Sequence, residues 1–181
     1  RVVGVIIAVY AVYEQARFNL LADWMASHER PYFWAGLERG ADMCQWQDAL
    51  HAEAAASRGE SAIPSCIALW KCFQRIVHDH VFAQAHTHGF PLATLRGILA
   101  IYRAPRRLVC GAAALPYAMH ATRGAIARSK WAMGILRLTL LSAMDSHQQA
   151  FPSSFKPVYV DDLASVVVAT RRLVVRMVVA A

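Results

Sequence analysis

The sequence predicts an α+β fold, a small and mainly antiparallel sheet with helices against one face, on three observations. Short β-branched or apolar runs lie far apart in the chain, and stretches with helical apolar spacing separate them. The last such run, around Val158–Val168, is interrupted by two adjacent acids, Asp161 and Asp162, which mark the tip of a hairpin. With 181 residues, 57% of them apolar and 17% charged, the chain has the composition of one globular domain with a substantial core.

From Val5 to about Ser27 the apolar positions recur at helical spacing, with Glu14, Arg17 and Asp23 on the opposite face, and Arg30-Pro31 ends the pattern. A first long helix is expected there. Gly36 to Gly40 is a loop, and Ala41–Ser57 is a second helix stopped by Arg58-Gly59. A strand is expected near Ser65–Trp70 and a helix over Phe73–His88. Gly89-Phe90-Pro91 is a turn, with Pro91 opening a helix over Leu92–Tyr102 that Pro105 terminates. Arg107–Cys110 and Leu115–Ala118 are short strands around Gly111. A loop carrying Arg123-Gly124 then leads to a helix over Ser129–Ser146 and to the final hairpin.

The formal charge of +7 and the pI near 9.6 come mostly from arginine, whose planar fork pairs bidentately with phosphate. The clusters Arg103, Arg106 and Arg107; Arg123, Arg128 and Lys130; and Arg171, Arg172 and Arg176 suit a polyanionic partner or a solvated surface equally. Cys44, Cys66, Cys72 and Cys110 form no CxxC pair, so they are read as buried free thiols of a reducing, intracellular compartment. The Val2–Val12 run is too short to span a bilayer and Arg137 interrupts the apolar stretch at Ile135–Leu141, so no membrane segment is expected. His78, His80, His86 and His88 are read as an exposed polar helix face without a metal, and Trp24, Tyr32, Phe33 and Trp34 as packing residues in preference to a base-stacking set.

Two adjacent carboxylates at a strand-pair tip make a hard, oxygen-rich site that suits Mg²⁺, with Mn²⁺ as an alternative, and point to phosphoryl transfer. Ala68-Leu69-Trp70-Lys71-Cys72-Phe73, then Arg123-Gly124-Ala125-Ile126-Ala127-Arg128-Ser129, then Tyr159-Val160-Asp161-Asp162, follow one another in that order. With Val77-His78, Gly89-Phe90-Pro91 and a weaker match at Arg1–Tyr13, this order resembles the fingers and palm of a retroelement reverse transcriptase. The resemblance implies a fingers-like helical part over 1–60 and a polymerase palm-like core over 61–181, with a thumb and other domains of a parent polypeptide beyond the chain. The start at Arg1 and the apolar Val178–Ala181 end agree with that expectation.

The family's chemistry is transfer of a deoxynucleotide to a DNA primer on an RNA template, helped by two metal ions. The resemblance makes Asp161 and Asp162 the catalytic and metal-binding acids. It places Lys71, Phe73, Arg128 and Ser129 around the nucleotide, with Phe73 excluding a ribose 2′-hydroxyl, and Arg103, Arg106, Arg107 and Arg123 on nucleic acid. The first motif departs from the family pattern: Ala68 stands where its metal-binding aspartate belongs. Arg128 likewise replaces a glycine. The expected consequence is an inactive or severely impaired polymerase. A non-catalytic nucleic-acid-binding module on the same scaffold is the second reading, and a helical interaction domain without nucleic acid is the third.

Overall fold

The computed structural model describes residues 8–35, 39–107, 109–111, 113–126, 129–152, 157–160 and 162–170. It is a mixed fold of helices and small antiparallel sheets, as the α+β prediction requires. Two compact units each draw on two stretches of chain: Arg1–His28 with Lys71–Ser142, and Glu29–Trp70 with Ala143–Ala181.

In the first unit, α1 (Ala8–Ala16) and α2 (Phe18–Ser27) replace the single long helix expected, and the break falls at Arg17 (φ −106°, ψ 2°). Glu14, expected on the polar face, is buried at 2% exposure. Phe73–His88 is likewise two helices, α4 (Cys72–Arg75) and α5 (His78–Thr87). A tertiary pairing overrides helix propensity there, because Ile76 O accepts from Gly124 N (2.7 Å) and Val77 bridges Arg123. Pro91 caps α6 (Leu92–Arg103), as expected. The hairpin β2 (Val109–Cys110) and β3 (Ala113–Ala114) follows, its second strand falling before the expected Leu115–Ala118.

The helix expected from Ser129 starts later, as α7 (Ala132–Ala150), because Ser129 to Trp131 form the turn that enters it. Leu21, Val81, Phe90, Leu95, Ile98, Tyr102, Trp131, Ile135 and Leu138 are buried at 5% exposure or less and form this unit's core. Trp24 belongs to it too, its ring edge-on to Phe90 and its indole N–H donating to His88 O (2.8 Å). Gly134 is forced by packing, since a Cβ there would overlap the Leu21 side chain. Gly134→Val is therefore expected to lower stability by about 1–3 kcal/mol through overpacking, read as a lower urea midpoint at unchanged slope.

In the second unit a three-stranded antiparallel sheet has the order β1-β5-β4, from β1 (Ser61–Ala68), β4 (Val158–Tyr159) and β5 (Asp162–Ala169). Pro64 is tolerated because β1 is an edge strand. The strand pair, expected to be buried, is covered only in part: α3 (Ala41–Ser57) packs on β1 and β5, Val166 is buried, and Pro64–Ala68 are exposed. Tyr32–Trp34 runs beside β4, with Val158 N donating to Tyr32 O (2.7 Å) and Trp34 N to Val158 O (2.9 Å). Tyr32, Phe33 and Trp34 are accordingly buried, which makes them packing residues. Arg30 pairs bidentately with Asp145 (3.0 and 3.2 Å), and the Tyr32 hydroxyl donates to the same carboxylate (2.7 Å). Of the four cysteines only Cys44 is buried; Cys66 and Cys110 are exposed, because the strands carrying them are covered on one side at most. Among the described residues no helix is long and apolar enough to cross a membrane.

Candidate functional site

The residues singled out by the three motifs divide between the two units. Ala68 and Asp162 lie in the second. Their strands run antiparallel with Ser61 opposite Ala169 at one end and Ala68 opposite Asp162 at the other. Directly opposed residues project to the same face of a sheet, with Cβ atoms about 4.5–5.5 Å apart. The methyl of Ala68 thus stands beside the Asp162 carboxylate, and both residues are exposed.

Tyr159 pairs with Asp162, which closes a tight hairpin with Val160 at its turn. Val160 has φ 57°, a left-handed conformation that costs a β-branched residue about 1–3 kcal/mol. Asp161 and Arg128 lie outside the described residues, as do Arg171, Arg172 and Arg176.

The rest of the first motif, from Lys71, and the second motif meet in the first unit. Lys71, in the left-handed region at φ 52°, opens α4 and is exposed, and Phe73 is half-buried. Ala125 N donates to Phe73 O (2.7 Å), so the Arg123–Ala125 loop lies along the Phe73–Val77 segment. Gly124 is required at the contact: φ is +98°, and a Cβ there would sit 3.3 Å from Gln74 O. Gly124→Ala is expected to cost about 1–3 kcal/mol and to loosen this loop, seen as faster hydrogen exchange at the Gly124 and Ala125 amides.

His78, expected on an exposed helix face, is buried and fastens the same loop. Its Nδ1 accepts from Arg103 Nε (3.3 Å), which can only donate, so Nε2 carries the proton and donates to Gly124 O (2.8 Å). Burial lowers the pKa of His78, and the neighbouring Arg103 and Arg106 lower it further against the opposing hydrogen bond to Gly124. The folded state therefore resists a proton that the unfolded chain accepts below about pH 6.5. Stability should fall as the pH drops below that value and level off once the lower folded-state pKa is passed. Unfolding midpoints across this range should fall further for the native chain than for His78→Gln, and parallel curves would refute the assignment.

Ser129, expected near a nucleotide, is instead buried at 5% exposure with its hydroxyl fully used. It donates to Glu14 and accepts from the Tyr102 hydroxyl (2.7 Å) and from Trp131 N (3.3 Å). Its role is to hold the loop against α1. Burial raises the pKa of Tyr102 and of Tyr10, keeping both phenols neutral. The expected basic set is exposed: Arg103 pairs with Asp79 (2.6 Å), Arg106 donates to Tyr102 O (2.5 Å), and Arg107 and Arg123 point to solvent.

Among the described residues, which exclude Asp161, the donor set does not complete a two-ion site. Ala68 supplies no oxygen opposite Asp162, and among the described residues no three His, Cys, Asp or Glu side chains are grouped to hold a metal. No family model matches the chain, and no curated protein is significantly similar to it.

Proposed function

We propose that the chain is a reverse-transcriptase-like domain, comprising fingers-like residues 1–60 and a palm-like core over 61–181, in which nucleotidyl transfer is impaired by the loss of one metal-binding carboxylate. The observation that carries the reading is the register that sets Ala68 against Asp162 at neighbouring strand ends. Ala68 and Asp162, 94 positions apart in the sequence, are opposed here, and the resemblance calls for opposed acids from these two motifs. The strained Val160 at the tip supports it, because strain of this kind collects where a loop must present a particular group. So does the packing of the Gly124 loop on the Phe73 segment, since the resemblance assigns both to the nucleotide.

In this reading Asp161 and Asp162 are a remnant acidic pair for Mg²⁺ or Mn²⁺, and RNA template, DNA primer and deoxynucleotides are the ancestral partners. Restoring the acid tests it. Ala68→Asp should acquire Mn²⁺ binding and Mg²⁺-dependent primer extension that the native chain lacks.

A second reading, a nucleic-acid-binding module without catalysis, is favoured by the exposure of Arg103, Arg106, Arg107 and Arg123 in one unit. It requires affinity for primer–template that falls by about 0.9 logarithmic unit per tenfold rise in salt for each phosphate neutralised, and that ignores Mg²⁺. Salt-independent binding would remove it.

A further inference from the structure

Between α5 and α6 lies an open cleft of about 380 Å³ lined by Asp79, Phe82, Arg96, Leu99, Ala100 and Arg103. Its shape follows from helical spacing. Asp79 and Phe82 are three apart on α5; Arg96, Leu99, Ala100 and Arg103 are spaced by three, one and three on α6, so each set shares one face. The Arg96 guanidinium is 5.8 Å from the centre of the Phe82 ring, close to the outer limit for a cation–π contact. Arg96 has no ion pair among the described residues, whereas Arg103 is paired with Asp79 (2.6 Å). The two guanidinium groups are seven residues apart, about 10 Å along the helix axis.

We propose that this cleft is a nucleotide-binding site, which takes a base on the Phe82 face and its phosphate on Arg96 and Arg103. The lining carries two cations against one anion, so it selects a negatively charged ligand. A half-buried ring beside a loosely held, planar guanidinium offers a stacking platform for a second flat group. The leucine and alanine floor gives that group an apolar base. A volume near the small end of ligand pockets admits one nucleotide and not a folded partner. That nucleotide is either free or one residue of a strand running across the two helices. Asp79 is the built-in competitor: it is paired with Arg103 and must give way to a phosphate. The site stands on its own lining and is independent of the polymerase reading.

The test titrates the intact chain with a fluorescent adenosine diphosphate and, separately, with a labelled twelve-residue single-stranded DNA, following anisotropy. Saturable binding of either is expected; the diphosphate alone identifies a free nucleotide, and the strand alone identifies one residue of a polymer. Arg96→Ala, an exposed substitution that leaves the core intact, should weaken binding about tenfold. Asp79→Asn should tighten it about threefold by freeing Arg103. Phe82→Leu, which keeps apolar bulk but removes the ring face, should weaken nucleotide binding and leave that of inorganic phosphate unchanged. Binding indifferent to Arg96→Ala and Asp79→Asn, inorganic phosphate binding as tightly as the nucleotide, or no binding of either probe would overturn the proposal.

Discussion

Ala68→Asp is expected to make the protein's stability depend on a divalent metal. Directly opposed on antiparallel strands, the new carboxylate would face Asp162 at about 5 Å. Two such charges repel by about 1 kcal/mol in a water-like dielectric and by about 3 kcal/mol at an effective dielectric of 20. Because both positions are exposed, the smaller figure applies, so the variant in EDTA should unfold slightly below the native chain. Added Mn²⁺ reverses the sign: an ion bound only by the folded state at a hundred times its dissociation constant stabilises by about 2.7 kcal/mol. The native chain, offering a methyl at this point, should show no comparable shift. Primer extension in Mg²⁺ should follow the same pattern, present in the variant and absent from the parent. If Ala68→Asp neither binds Mn²⁺ nor extends a primer, the polymerase reading fails. Strong extension by the native chain would refute the impairment.

The fate of each sequence expectation traces to where its determinant lies. The extents of α3 and α6 were legible because their stops are local: Arg58-Gly59 closes one, and Pro91 opens the other. The breaks at Arg17 and at Ile76-Val77 were not. The second is imposed by the Arg123–Gly124 loop, about 46 residues further on, and no propensity reports a partner that distant. The resemblance expects Asp161 near Ala68 at neighbouring strand ends; Asp161 lies outside the described residues, and it is Asp162 that the register sets opposite Ala68. The exposure of Cys66 and Cys110 was misjudged, since apolar neighbours in sequence do not say whether a second layer covers a strand. Glu14 was the least legible: an acid among apolar residues at helical spacing reads as solvated unless its distant hydroxyl partner is known.

Glu14 leads to the largest stability effect expected in the molecule. Its side chain is 2% exposed and accepts from the Ser129 hydroxyl and from Lys130 N (3.3 Å), while its backbone carbonyl accepts from the Trp131 indole N–H (3.4 Å). Ser129 in turn accepts from Tyr102, whose own exposure is 1%. Glu14→Ala removes the acceptor at the centre of this set and leaves the Ser129 hydroxyl and the Lys130 amide without it, at about 1–3 kcal/mol each, before any cavity cost. A loss of about 3–5 kcal/mol is expected, a large share of the stability of a domain this size. Glu14→Gln should cost less, because its carbonyl still accepts from Ser129, yet its amide then meets the Lys130 N–H donor against donor. Tyr102→Phe should be mildest, since Ser129 keeps both its acceptor and the Trp131 amide. Urea unfolding of the three variants should rank them in that order, and hydrogen exchange should quicken first at Ser129 and Lys130. A Glu14→Ala chain as stable as the parent would mean that the network is solvated in solution and that α1 does not hold the Ser129 loop.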